Sequence, residues 1–497
     1  KDSVLGALDL FSKNLAGLRE SIEREDGEHM LGVFTRAKSA RVRFTRMLAK
    51  QAYTPESDGD ETIQFKVQPG GSLSGDVRVP GDKSISHRAI ILGSLAEGVT
   101  EVCGLLEGED VLATLQAFRD MGVVIEGPIH GSVRIHGVGL KGLQAPAGPL
   151  YLGNSGTSMR LLSGLLAAQP FDSVLMGDAS LSRRPMARII EPLRLMGAEI
   201  DAAEGLKPPL SIKGGSNLKA LDYKMPIASA QVKSCVLLAG MYAGGRTRVF
   251  EPALTRDHTE KMLQSFSYSL AQDSGAQVVE GGGRLLATEI EVPGDISSAA
   301  FFIVAACITP GSDILLPHVG VNPTRIGVIN ILRLMGASIE LENETNMGAE
   351  LLADIRVRYA PLRGIEIPAD QVPLAIDEFP AILIAAACAE GETRLCGAEE
   401  LRVKESDRIQ AMAEGLRVLG VDLTTQADGI VVKGGELSGG AVDSLGDHRI
   451  AMAFVVAGLR ATGEIAIANC ANVSTSFPNF IATARAAGIR VSSELSE

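Results

Sequence analysis

The chain has 497 residues, with 47 Lys and Arg against 60 Asp and Glu, a net charge of −13. That acidity excludes a general nucleic-acid or membrane-surface binder, because both polyanions demand a surplus of cations. Hydrophobic residues make up 45%, with no Trp and only 4% aromatics. This composition suits helices packed on sheets and offers few platforms for stacked bases.

The length implies two domains plus an appendage. The six cysteines (Cys103, Cys235, Cys307, Cys388, Cys396, Cys470) contain no CxxC pair, which reads as free thiols in a reducing compartment. The apolar runs are too short to span a bilayer and no signal peptide is visible, so a soluble cytoplasmic protein is expected.

In chain order, Val4, Leu8, Phe11, Leu15 and Leu18 predict an amphipathic helix, and a second helical segment runs over residues 27–49. A polar stretch, Tyr53-Thr-Pro-Glu-Ser-Asp-Gly-Asp-Glu61, then reads as a linker. Residues 1–60 are taken as the helical tail of an upstream unit.

Val79-Pro-Gly-Asp-Lys-Ser-Ile-Ser-His-Arg88 follows, and its opening recurs as Val292-Pro-Gly-Asp-Ile-Ser-Ser298. Each copy ends a short β-type run and enters an Ala-rich helix, which suggests a duplicated chain. Only the first copy carries Lys83 and Arg88; with the free N–H groups of a helix start they form an anion site.

A second repeat is superposed on this duplication. Helices ending near Gly122, Gly197, Gly336, Gly420 and Gly488 each run into a β-branched segment, and Ser267 stands in the same place in a sixth copy. The spacing of seventy to eighty residues fits a compact α/β unit with several strands. Two domains of three units follow, the first over 82–294, the second assembled from 62–81 and 295–497.

Chemistry concentrates at predicted helix starts. Gly153-Asn-Ser-Gly-Thr-Ser-Met-Arg160 opens an apolar helix, Arg183 and Arg184 precede Pro185 and a helix predicted to begin there, and Ser229-Ala-Gln231 opens another. Arg256 lies in Thr255-Arg-Asp-His-Thr-Glu260. The second half supplies Asp377 and Glu378 as a cap or a base, Lys404, Glu405 and Arg408 together, and Arg449 in Gly446-Asp-His-Arg. Cations at helix N-termini oppose the macrodipole and call for an anionic ligand. The seven His show no metal spacing, and no GxGxxG, P-loop or Ser/His/Asp arrangement stands out. No cofactor and no metal are expected; the chemistry is proton transfer with anion stabilisation.

These motifs together resemble the 5-enolpyruvylshikimate-3-phosphate (EPSP) synthases, the 3-phosphoshikimate 1-carboxyvinyltransferases, from about residue 62 to the C-terminus. The resemblance implies the two-domain enolpyruvyl transferase fold, α/β with three βαβαββ units per domain, preceded here by the N-terminal helical segment. It implies that Lys83, Ser84, Arg88, Ser229, Ala230, Gln231, Arg256, Asp377 and Lys404 hold shikimate-3-phosphate. Phosphoenolpyruvate falls to Lys83, Asn154, Gly156, Arg184, Gln231, Arg408 and Arg449. Asp377, Glu405 and Lys83 are the implied acid/base groups, and glyphosate is the implied competitor of phosphoenolpyruvate.

Residues 1–50 resemble the C-terminal tail of prephenate dehydrogenases, which some bacteria fuse upstream of the synthase. One departure stands out: where many members carry a Lys before Thr-Phe-Pro, this chain reads Ser474-Thr-Ser-Phe-Pro478. One cation is therefore missing or supplied from elsewhere. A rival of the same fold, UDP-N-acetylglucosamine enolpyruvyl transferase, relies on a Cys in an Arg-rich loop, and none is found here. A non-catalytic scaffold is disfavoured by the intact Lys83, Asp377, Glu405 and Arg449. The two halves are expected to meet only when shikimate-3-phosphate bridges Lys83/Ser229 and Asp377/Lys404. Each half carries an incomplete set of charges, and the facing cations are expected to repel one another without ligand.

Overall fold

The computed structural model describes residues 62–496; the helical segment and linker expected over 1–60 lie outside the described residues. Among the described residues there are six small sheets, and five have a parallel edge strand beside an antiparallel hairpin. In the sixth, Glu392–Leu395 with Gly429–Lys433 and Asp422–Gln426, isolated parallel bridges such as Glu366 to Arg394 take that place. In the first half, Ser132–Val138 lies between Ala96–Cys103 and Val124–Ile129, with Leu285–Leu286 and Glu289–Glu291 as the parallel edge. Leu150–Tyr151 runs parallel to Ser173–Met176, and Asp222–Lys224 parallel to Arg246–Phe250, in the next two.

The second half repeats the plan. Ser74–Asp76 pairs in parallel with Asp313–Gly320, and Gly440–Asp443 with Ile465–Ala468. Thr62–Val67 lies antiparallel between Ile465–Ala468 and Val491–Ser496, so this early strand completes a sheet built from the end of the chain.

The repeat seen in the sequence has a backbone cause. Gly122, Gly197, Gly336, Gly420 and Gly488 all adopt positive φ between 83° and 110°, and Ser267 holds φ 61° in the sixth copy. Each sits just past its helix, where a left-handed residue turns the chain into the following strand.

Every unit contributes one helix that is buried almost throughout and one amphipathic helix outside it. The buried set comprises Lys83–Leu95, Gly156–Leu166, Ala230–Gly240, Ile296–Ile308, Phe379–Ala387 and His448–Ala457. Their Ala, Gly and Ser content lets neighbouring backbones approach closely: a β-carbon at Gly164 would stand 2.2 Å from the Cys235 carbonyl oxygen. Buried apolar residues form two clusters, one from Ile85 to Val292 and one joining Phe65–Val77 to Ile296–Val491.

The two Val-Pro-Gly-Asp copies are the crossings between these clusters, and they bond to each other. Asp82 N–H donates to the Pro293 carbonyl at 2.7 Å, and Asp295 N–H donates to the Pro80 carbonyl at 2.9 Å. Glycine at 81 is required by packing, since a β-carbon there would lie 2.0 Å from the Gly104 oxygen. Each aspartate caps its helix, Asp82 accepting from Ile85 N–H and Asp295 from Ser297 N–H, both at 2.8 Å. Among the described residues no helix is long and apolar enough to cross a membrane.

Candidate active site

The starts of all six buried helices open onto one cavity of about 400 Å³ between the two halves, a volume suited to small polar ligands. From the first half come Lys83, Ser84, Gly156, Arg184, Ser229, Ala230, Gln231 and Arg256; from the second, Asp377, Lys404, Glu405, Arg408 and Arg449. Unpaired helical N–H groups and side-chain cations thus converge from both sides.

Short polar caps fix most of these helix starts. Ser155 Oγ accepts from Ser158 N–H, Ser229 Oγ from Val232 N–H, Asp407 from Gln410 N–H and Asp447 from Arg449 N–H. The helix expected at Pro185 begins at Ala187 instead: Arg184 is extended after a single 3₁₀ turn, Leu181–Arg183, which frees its side chain for the cavity. Glu378 makes no side-chain cap bond; it is 2% exposed and pairs with Arg325 at 3.4 Å.

Among the cavity's carboxylates, Asp377 and Glu405 are the most closely packed with cations. Asp377 accepts from Arg256, from Lys404 Nζ at 3.3 Å and from Arg408 at 3.4 Å, while Arg449 donates to its backbone oxygen at 3.0 Å. Burial opposes its ionisation, but Lys404, Arg256, Arg449 and Arg408 outweigh burial and hold the carboxyl well below the usual range. Glu405 pairs with Arg408 at 2.6 Å and with Arg184 at 3.4 Å. Again burial is overcome, here first by Arg408 and then Arg184, and its carboxyl is held well below the ordinary value. Arg408, 1% exposed, is locked by Asp447 at 2.8 Å.

The expected repulsion between facing cations is not found. Arg256 of the first half meets Asp377 of the second, Arg184 meets Glu405, and Arg188 meets Glu400 at 2.7 Å. Acids from the second half interleave with cations from the first, so the facing surfaces attract.

Two residues assigned by resemblance do not line the cavity. Arg88 spends its donors on Thr259 Oγ1 and Ser234 Oγ, each at 2.7 Å, and on the Ser84 carbonyl at 2.9 Å. Asn154 accepts from Arg184 and donates to Asp178 at 2.8 Å, and so braces Arg184 from behind.

The sequence reading also missed several groups. Asp110 pairs with Lys83 Nζ at 2.8 Å, and Arg160 donates to Gln231 Oε1 at 2.9 Å. Burial, and then the neighbouring Arg184, lower Arg160 to about 10. His448 lines the cavity too, and burial followed by the Lys83 charge lowers it to about 3, so it stays neutral. Thr475, near where the expected Lys would fall, is buried with its hydroxyl on the Asn472 carbonyl at 2.7 Å. Arg160 and Arg188 add further cations to the cavity lining.

A two-half α/β fold whose helix starts build a cationic cavity with embedded carboxylates defines an enolpyruvyl-transferase class of site. Within that class, the profile of "EPSP synthase (3-phosphoshikimate 1-carboxyvinyltransferase)" matches residues 67–483. The 3-phosphoshikimate 1-carboxyvinyltransferase of Methylococcus capsulatus is 64% identical over 432 residues, 87% of this chain and 99% of that protein. That of Nitrosococcus oceani is 62% identical over 436 residues, 88% and 98% respectively. A solved structure of EPSP synthase from Acinetobacter baumannii superposes with a TM-score of 0.79 at 57% identity, covering 87% of this chain and all of that one. The chain belongs to the EPSP synthase family.

Proposed function

We propose that this chain transfers the carboxyvinyl group of phosphoenolpyruvate to the 5-hydroxyl of shikimate-3-phosphate, giving EPSP and phosphate for chorismate and aromatic amino acid synthesis. The observation that carries this reading is the placement of Asp377 and Glu405, each paired with arginines, in a cavity lined by helix starts that carry Lys83, Arg184, Arg256, Arg408 and Arg449.

Shikimate-3-phosphate is assigned to Lys83, Ser84, Ser229, Ala230, Gln231, Arg256, Asp377 and Lys404, with Arg88 bracing Ser84 from beneath. Phosphoenolpyruvate is assigned to Lys83, Gly156, Arg184, Gln231, Arg408 and Arg449, with Asn154 holding Arg184. Asp377 takes the proton of the 5-hydroxyl as its oxygen attacks C2 of phosphoenolpyruvate. Glu405 delivers a proton to the methylene carbon, with Lys83 as a second acid/base. The tetrahedral adduct then loses a proton from its methyl group and expels phosphate, restoring the double bond.

At rest both carboxyls are ionised and poor proton carriers. Bound phosphate and carboxylate anions compete for the same arginines and raise the two carboxyl values, so charging the site with substrate also arms its acid and base.

The test is phosphate release from shikimate-3-phosphate plus phosphoenolpyruvate, with the carboxyvinyl product identified by mass. Release with UDP-N-acetylglucosamine instead would assign the chain to the sister activity, and release with neither would refute the reading.

Three finer assignments belong to the same proposal. The domains are 82–294 and 62–81 with 295–497, supported by the two separate apolar clusters. The protein works in the cytoplasm, in keeping with its free cysteines. Residues 1–50 are the remnant of a fused upstream prephenate dehydrogenase, on their sequence resemblance alone.

A further inference from the structure

A buried ion cluster lies behind the wall that carries Ser229, Gln231 and Arg256, and none of the roles above uses it. Lys233 is 1% exposed and sits one turn inside the helix that Ser229 caps. Its ammonium bonds Glu251 at 2.8 Å and Glu260 at 2.7 Å. Burying a lysine is costly unless it is paired, and nothing in the packing of an apolar helix requires a charge there.

The two acids bracket Arg256 in sequence. Glu251 follows the strand Arg246–Phe250, and its second oxygen accepts from the N–H of Thr255 at 3.2 Å and from the Thr255 hydroxyl. The loop is thereby closed one residue before Arg256. Glu260 lies in the first turn of His258–Ser265, just after Arg256. One ammonium therefore ties the approach to Arg256, the departure from it, and the helix that presents Ser229 and Gln231.

We infer that Lys233 is a positioning residue for shikimate-3-phosphate, fixing Arg256 relative to Ser229 and Gln231 through Glu251 and Glu260. The inference rests on the functional reading above. The cluster touches neither Arg184 nor Arg449, and of the phosphoenolpyruvate groups it adjoins only Gln231, so its effect falls mainly on shikimate-3-phosphate.

The experiment measures shikimate-3-phosphate affinity by calorimetry, and both Michaelis constants with kcat, for the full chain and for Lys233→Met, Lys233→Arg and Glu251→Gln. Lys233→Met is expected to weaken shikimate-3-phosphate about tenfold or more, with the phosphoenolpyruvate constant and kcat within about threefold. Lys233→Arg restores most of the loss. In an Arg256→Ala background, Lys233→Met adds less than about twofold, because residues acting through one another are not additive.

Unchanged shikimate-3-phosphate affinity, or a full additional loss in the Arg256→Ala background, would overturn the inference. If Lys233→Met does not fold, Glu251→Gln, which leaves Lys233 paired with Glu260, decides the matter: a selective loss of about threefold or more supports it and none overturns it. A parent chain that binds no shikimate-3-phosphate would sink the functional reading and this inference together. Tight binding by the parent with indifferent variants sinks this inference alone.

Discussion

Gly156→Ala puts a methyl group into the cavity, at a residue that the proposed function assigns to phosphoenolpyruvate. Its β-carbon would stand 2.6 Å from Arg160 Nη1 and 3.1 Å from Arg184 Nη1. An ordinary contact needs roughly 3.5 Å, so the tip of Arg160 must retreat by about 0.9 Å and that of Arg184 by about 0.4 Å. Arg160 donates to Gln231 at 2.9 Å and to the Gly156 carbonyl at 3.3 Å, and such a retreat takes both bonds out of range. One charged hydrogen bond is worth about 1.5–3 kcal/mol, or roughly ten- to a hundredfold in affinity.

Phosphoenolpyruvate, held by the smaller displacement at Arg184, should lose up to about tenfold. If glyphosate, the family's inhibitor and the longer ligand, occupies the space beside Gly156, it should bear the full loss. Steady-state kinetics with varied phosphoenolpyruvate and glyphosate checks this: the inhibition constant should rise at least about ten times more than the Michaelis constant. Equal rises would mean that the methyl obstructs both ligands alike, and the steric reasoning would fail.

Glu405→Gln should lower kcat by about 10²–10⁴-fold with both Michaelis constants within a few fold, since a proton donor acts in the transition state; near-normal turnover would remove Glu405 from the mechanism. Burial, and then Asp82, raise the Asp295 carboxyl to about 6, so its ionised form subtracts from stability above that pH and the loss fades as pH falls toward the ordinary carboxylate value. Asp295→Asn keeps an oxygen for Ser297 N–H and should therefore gain about 1–3 kcal/mol at pH 8 and nothing near pH 4; denaturant titrations at the two pH values that show no difference would contradict this. Removing residues 1–60 should leave kcat/KM within a few fold, and an insoluble or inactive product would place that segment within the synthase fold.

The architecture was legible because its signals are local and repeated. A left-handed residue after each outer helix appears in the sequence as glycine, with Ser267 as the one exception, and the paired Val-Pro-Gly-Asp turns mark both crossings. Helix caps such as Asp82, Ser229 and Asp447 also announce themselves by residue type.

Partners distant in sequence did not. Asp110 reads as an ordinary acid in the first turn of its helix, and nothing local ties it to Lys83, 27 positions earlier. Arg325 follows no apolar period, yet it lies 3.8 Å from Asp82, 3.7 Å from Asp295 and 3.4 Å from Glu378. The expectation of facing cations that repel failed for the same reason: motifs reveal which charges are present, and only the fold shows that Arg184, Arg188 and Arg256 of the first half meet acids of the second.

The pairing of Thr62–Val67 with Val491–Ser496 has a consequence for biogenesis. Lys66 and Glu494, neighbours across that ladder, are 428 positions apart. At ~5–20 residues per second a ribosome needs roughly 20–90 s to supply the missing strand. Throughout that interval Thr62–Val67 emerges with both edges unsatisfied, while the sequence from Ile85 to Val292 already holds every residue of its own apolar cluster. The first half can therefore condense on the nascent chain, and the second must wait for release. An unpaired strand edge is a template for wrong partners, so the early strand is where chaperone dependence and misassembly during synthesis should concentrate.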